Sequence, residues 1–365
     1  MQDLGIIEGF YGRMFSEKGR LALMDFAAEE GYRSYIYAPK GIGRLRTRFK
    51  EGLNAEERAL LQRTSQHARK CGLNFGIGIS PVNLTLSYTE DKTRFEELCL
   101  DYVESFKLAT LAVLFDDVKL QSEDVGLKQA QIMNSLSARL HPSSAARRVR
   151  LIFCPAYYSF DPILDKLFGK RPARYYAELK DNLAPDIEIY WTGIRVLSED
   201  HTPSDLKRIH ALLGRPVRLW DNYPVNDGKR ISEYLNLKPF KGRRHLEGLI
   251  TGHDVNPMNE LTLNRLPLVT LPLIYAGAEE RVLTRRWVEE AHALFGTAAP
   301  FILDHLSTLT QKGLSHIPED EKEAFLKVLR EALQATSESV SHSALSEMAA
   351  FLLGEYRFDP ACLTS

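Results

Sequence analysis

The chain has 365 residues, with 47 basic against 48 acidic side chains and a formal net charge of -1. At roughly 150 residues per domain this is one large domain or two or three smaller ones. Hydrophobic residues at 44% and charged residues at 26% exclude wholesale disorder, and the balanced charge gives no electrostatic case for nucleic acid or an anionic membrane.

The first thirteen residues, MQDLGIIEGFYGR, lack the basic start and long apolar core of a signal peptide. No stretch approaches the ~18 apolar residues of a membrane helix. Cys71, Cys99, Cys154 and Cys362 form no CxxC pair and no disulfide ladder. The expectation is a soluble, cytoplasmic, enzyme-sized protein.

Short apolar runs then recur along the chain. They are LGIIEGFYG (4–12), SYIYAPK (34–40), NFGIGIS (74–80), LAVLFDD (111–117), VRLIFCPAYY (149–158), IEIYWTG (187–193), VRLWDNYP (217–224) and GLITGHD (248–254). Most are continuous rather than alternating, as strands buried on both faces read. Their starts lie about 30 to 40 residues apart, room for one crossover helix each. Between the early runs, 17–30, 55–70 and 91–107 carry apolar residues at helical spacing. Eight strands alternating with helices over about 275 residues predict a (β/α)8 TIM barrel, an α/β fold. A doubly wound open sheet is the competitor, but no GxGxxG turn follows the first strand. From about Gly277 the segments 279–295, 299–311, 318–337 and 343–354 read as helices with no strand between them. The predicted division is a barrel over 1–276 and a helical appendage over 277–365, with no flexible linker between.

A barrel builds its site at the carboxyl ends of its strands. Those ends carry Glu8-Gly9-Phe10-Tyr11, Lys40, Asp116-Asp117, Tyr157-Tyr158, Trp191-Thr192, Trp220-Asp221-Asn222 with Asp227, and His253-Asp254 with Asn256. Carboxylates, amides and aromatics without a Ser-His pair suit a carbohydrate, whose rings stack on aromatic faces. Trp191, Trp220, Tyr11 and Tyr158 are the aromatics with a ligand reading. No HxH or HExxH spacing is present, so neither metal nor cofactor is expected. Asp116 and Asp117 close an apolar strand, where two carboxylates are costly unless hydrogen-bonded or functional. Close carboxylates push one pKa upward, which supplies an acid beside an ionised partner. A cap and a solvated neighbour would explain the same two residues.

The motifs GIIEGFYGR, YIYAPK, LAVLFDD, CPAYY, IYWTG, LWDNYPVND and NPMN occur in this order, each at an expected strand end. Together they resemble glycoside hydrolase family 84, the β-N-acetylglucosaminidases that include the O-GlcNAcases, over about residues 4 to 275. The resemblance implies a retaining exo-acting enzyme that removes terminal GlcNAc from a glycoprotein or small glycoside through an oxazoline. In that chemistry the 2-acetamido oxygen of the sugar is the nucleophile. It implies that Asp116 orients the acetamido N–H and that Asp117 is the acid and then the base. Gly9, Lys40, Asn222, Asp227 and Asn256 match residues that hold sugar hydroxyls. Tyr158 matches the tyrosine on the acetamido oxygen, and Cys154, Thr192 and Trp220 match the wall around its methyl group. Alone, Asn222 to Asp227 would pass for a turn and Cys154 for core.

One departure, in the segment after Lys40, bears on the substrate. Lys40 is followed by Gly41-Ile42-Gly43 and then a basic alternation, Arg44, Arg46, Arg48 and Lys50. Such runs are usually solvated surface, but this one motivates, as an alternative, the same mechanism on a different N-acetylated sugar or on an acidic glycan or aglycone. A second alternative is a sugar-binding barrel that has lost turnover.

Overall fold

The structure, a computed structural model, describes residues 3–116, 122–142, 148–337, 339–357 and 364. Eight strands, β1 (Leu4–Glu8), β2 (Ser34–Tyr37), β3 (Asn74–Ile79), β4 (Thr110–Leu114), β5 (Arg150–Cys154), β6 (Glu188–Trp191), β7 (Val217–Asp221) and β8 (Ile250–Val255), pair in parallel and in order. β1 pairs with both β2 and β8, so the sheet closes into the expected (β/α)8 barrel. β1, β2, β4 and β7 are buried along their whole length, which is why their apolar runs do not alternate.

The first three connections carry α1 (Glu17–Glu29), α2 (Ala55–Lys70) and α3 (Leu84–Phe106). Ser16 caps α1 by accepting from Gly19 N, and Asn54 with Glu57 forms a reciprocal capping box on α2. α3 begins at Leu84, seven residues before the segment expected from periodicity. α4 (Val125–Leu140) follows β4, and the short α5 (Pro162–Phe168) and α6 (Tyr175–Asn182) share the next crossover. α7 (Pro203–Leu213) follows β6, with Thr202 as its cap, Pro203 in its first turn and Gly214 at φ 70° ending it.

The helix expected between β7 and β8 is missing. Residues 222–249 contain only a 3-10 turn at Ile231–Glu233. Pro224, Gly228, Pro239 and Gly242 interrupt any helical pattern there. After β8 come α8 (Arg265–Leu268), α9 (Leu271–Tyr275), α10 (Glu280–Phe295), α11 (Ala299–Asp304), α12 (Glu319–Gln334) and α13 (Val340–Leu352). Among the described residues no helix is long and apolar enough to cross a membrane.

Two apolar cores result. One fills the barrel and the layer beneath its helices. The other joins Leu294, Phe295, Phe325, Leu329, Leu345 and Phe351 to Leu235, Leu237, Met258, Leu263 and Leu266. The C-terminal helices are thus packed directly on the β7–β8 connection and on the segment after β8. Glu347 of α13 reinforces this by accepting from Thr262 N at 2.7 Å, Thr262 Oγ1 at 2.7 Å and Leu263 N at 3.1 Å.

Several strand-end charges belong to this framework. Arg20 of α1 donates to both carboxylate oxygens of Glu8, at 2.6 and 2.7 Å, and Tyr35 OH adds a third bond at 2.9 Å. Asp254 receives Arg218 at 2.6 and 2.9 Å and Tyr190 OH at 2.6 Å. Burial alone would raise the Asp254 carboxyl, and the Arg218 guanidinium more than reverses that. Glu8, His253 and Asp254 are fully buried. They are framework, not site.

Candidate active site

The carboxyl ends of the strands open on one solvent-open recess of about 460 Å³. Gly9, Lys40, Asp116, Cys154, Tyr158, Thr192, Trp220, Asn222, Asp227 and Asn256 all line it. Asp117, expected as the acid, lies outside the described residues. These side chains come from seven of the eight strand ends, beyond every strand but β3, and only barrel closure brings them together.

Asp116 stands two residues past β4. Its Oδ2 accepts from Lys40 Nζ at 2.5 Å, and the same ammonium donates to Ser80 Oγ at 3.1 Å. Lys40 is 6% exposed and Asp116 9%, so the pair sits in a low-dielectric wall where its attraction is poorly screened. Lys40 Nζ also lies 5.7 Å from the Trp220 ring centre. The other carboxylate oxygen, Asp116 Oδ1, is buried and has no hydrogen-bond partner among the described residues. A buried acceptor left open beside a recess is ready for a donor from a ligand.

The opposite wall is built from β7. Neighbouring residues at a strand end face opposite ways. Trp220 and Asn222 therefore face the recess while Asp221 between them points away. Asp221 takes Arg243 at 2.9 and 2.8 Å and His253 Nε2 at 3.0 Å. Burial would raise its carboxyl, but the Arg243 guanidinium holds it well below the usual carboxylate range. This buried ion pair fixes the end of β7 from behind.

The amides knit the recess together. Asn222 Oδ1 accepts from Trp220 Nε1 at 2.9 Å and from Asn256 Nδ2 at 3.0 Å, and Asn222 Nδ2 donates to Val196 O at 2.9 Å. Asn256 Oδ1 accepts from Gly9 N at 3.3 Å, and Asp227 Oδ2 accepts from Tyr11 N at 2.9 Å. A Cβ at Gly9 would stand 2.4 Å from Trp220 Cζ2, so only glycine lets the indole lie against the first loop.

A family model described as β-N-acetylglucosaminidase matches residues 4–307 of this chain, most of its length. The chain belongs to the β-N-acetylglucosaminidase family. The rat and mouse proteins named Protein O-GlcNAcase are each 27% identical to it over 281 residues. Those alignments cover 74% of this chain and 30% of each relative, so the chain spans about a third of their length. A Thermobaculum terrenum O-GlcNAc hydrolase mutant shares the fold, with a TM-score of 0.72 and 24% identity over 97% of this chain and 81% of that one.

Some expected residues fall elsewhere in this barrel. Trp191 is fully buried and packs on Phe160 at 4.8 Å and Tyr176 at 6.1 Å, on the helix side of β6. Its neighbour Tyr190 faces the barrel interior instead. The basic loop is mostly self-paired: Arg44 lies 3.0 Å and Arg48 3.1 Å from Glu51, and Lys50 lies 2.5 Å from Asp91. Arg46 stands over the Tyr11 ring at 5.0 Å. Conversely, Val196, Leu197 and Val225 line the recess without having been singled out, as does Thr364. Isolated aliphatic residues in loops carry no signal that separates a pocket wall from core.

Proposed function

We propose that this protein is a retaining exo-β-N-acetylglucosaminidase that removes terminal GlcNAc by substrate-assisted catalysis through an oxazoline. The observation that carries the reading is Asp116, at the recess, with one carboxylate oxygen held by Lys40 and the other buried and without a partner among the described residues. The sugar's acetamido N–H would donate to that oxygen while its carbonyl oxygen attacks the anomeric carbon. Positive charge then grows on the acetamido group beside an ionised carboxylate, which lowers the barrier most where water is excluded. Asp117 would give its proton to the departing oxygen as the glycosidic bond breaks. It would then take a proton from the water that opens the oxazoline, restoring the β configuration. Trp220, Cys154 and Thr192 would enclose the acetamido methyl, with Tyr158 on its oxygen. Gly9, Asn222, Asp227 and Asn256 would meet the ring hydroxyls.

The reading is tested by hydrolysis of an aryl β-N-acetylglucosaminide followed by NMR, with a thiazoline that mimics the oxazoline as inhibitor. Initial release of the β anomer and submillimolar inhibition by the thiazoline are expected. First appearance of the α anomer, or GlcNAc binding with no product over days, would overturn it. An acidic glycan as substrate loses much of its motive, because Arg44, Arg48 and Lys50 already face Glu51 and Asp91.

A further inference from the structure

On the outer wall of the barrel, α1 and α2 run side by side and are joined by two polar contacts. Arg63, midway along α2, donates to both oxygens of Glu17 at the start of α1, at 2.6 and 2.9 Å. Further along, Asp25 Oδ1 lies 2.8 Å from His67 Nε2 and 3.0 Å from Cys71 Sγ. One oxygen, one nitrogen and one sulfur, all within 4.8 Å of one another, converge on a single point.

The spacing explains the convergence. His67 and Cys71 are four residues apart, one on the last turn of α2 and the other its C-cap, so they share a face. Asp25 and Glu29 are likewise four apart on α1, and the charge of Glu29 also acts on the Cys71 sulfur. Motifs read along one segment miss such a site because its ligands come from two helices.

We propose that Asp25, His67 and Cys71 form a surface zinc site that clamps α1 to α2, with water completing the coordination. Imidazole nitrogen, thiolate sulfur and carboxylate oxygen are the ligands that zinc takes in four-coordinate sites. At metal–ligand distances of about 2.0–2.3 Å, tetrahedral donors lie about 3.3–3.7 Å apart. The two hydrogen-bonded pairs would thus open by less than about 1 Å. The side chains of Asp25 and His67 are 51% and 27% exposed, which leaves an entry path and room for water.

The thiol sets the conditions. Burial raises the Cys71 thiol to about 11, with Asp25 and Glu29 adding to the effect and Lys70 opposing it. Zinc must therefore displace a proton to make the Zn–S bond, and that proton leaves to solvent. This site is remote from the recess and does not depend on the proposed hydrolase activity.

The test is titration of metal-free full-length protein with Co2+ and then Zn2+, followed by absorption spectroscopy and calorimetry. One equivalent of Co2+ should give an S→Co charge-transfer band and tetrahedral visible bands, both lost when Zn2+ is added. Cys71→Ser should abolish the charge-transfer band, and His67→Gln should weaken Zn2+ binding by about tenfold or more. Both variants should keep the far-UV spectrum and aryl-glycoside hydrolysis of the parent. A band that persists in Cys71→Ser, or no band while Cys71 still reacts with a thiol reagent, would overturn the assignment. Unchanged Zn2+ affinity in both variants would also overturn it.

Discussion

Lys40 Nζ lies 2.5 Å from Asp116 Oδ2, across the recess wall between the ends of β2 and β4. The ammonium orients the carboxylate and balances a charge that burial would otherwise penalise. Loss of one partner of a buried pair leaves the other uncompensated, at a cost of about 3–5 kcal/mol. Lys40→Met should therefore lower kcat/KM on aryl β-GlcNAc by about 10²-fold or more and reduce Tm. Lys40→Arg should recover stability better than turnover, because a planar fork cannot serve both Asp116 and Ser80 in the same geometry. Steady-state kinetics and thermal melts on the three proteins check this.

Asp116 and Asp117 would act at different moments, which leaving-group dependence can separate. Asp117→Asn should be crippled on alkyl glycosides, with most of the loss removed on aryl glycosides that need no protonation. Asp116→Asn should lose about 10²–10³-fold on both, since stabilisation of the charged acetamido group is missing whatever leaves. A Brønsted plot of log kcat/KM against leaving-group pKa is the measurement. An Asp117→Asn enzyme with undiminished turnover of a natural glycoside would remove Asp117 from its role.

Gly9 tests the shape of the recess. A methyl group there meets the six-membered ring of Trp220 at 2.4 Å, and no rotamer of alanine avoids it. Either the indole moves or the first loop lifts from Asn256. Gly9→Ala should weaken thiazoline inhibition by about tenfold or more and lower Tm by about 3 °C or more, because the buried Trp220 must shift to make room. Inhibition constants measured beside melting curves check both.

Much of the barrel was legible because parallel strands buried on both faces leave unbroken apolar runs. The runs overshoot the strands, however: GFYG after Glu8 and PAYY after Cys154 are loop, apolar only because they line or underlie the recess. The β7–β8 connection was misread as helical because strand counting presumes a crossover helix, whereas a 3-10 turn and the C-terminal helices cover that side. Trp191 and Trp220 look alike in sequence. Strand parity, which a continuous apolar run conceals, turns one toward Phe160 and the other toward the recess. Ten expected site residues meet in one place because motif order marks strand ends. The supporting Arg243–Asp221 pair was invisible, since its residues are 22 apart and no local pattern joins them.

The segment after β8 predicts a pH dependence of stability. Glu260 is fully buried, accepts from Asn226 Nδ2 at 2.8 Å, and has its Oε1 without a hydrogen-bond partner among the described residues. Burial pushes it up to about 8 from an ordinary 4.5, and the nearby Glu347, itself at about 7, adds to the rise. Between pH 4.5 and 8 the folded protein keeps a proton on Glu260 that the unfolded chain has released. Stability contributed by this proton is thus complete below about 4.5, falls by up to about 1.4 kcal/mol per pH unit across the window, and is lost above 8. Glu260→Gln mimics the protonated form at every pH. Its Tm should equal that of the parent within a degree or two at pH 5 and exceed it by about 3 °C or more at pH 9. Glu347 takes both backbone N–H groups on Oε2 and the Thr262 hydroxyl on Oε1, so Glu347→Gln can keep these contacts with its NH2 facing the hydroxyl and should give a smaller gain of the same sign at high pH. Melting curves of the parent and both variants from pH 5 to 9 decide it, and a parallel pH profile for Glu260→Gln and the parent would assign the proton elsewhere.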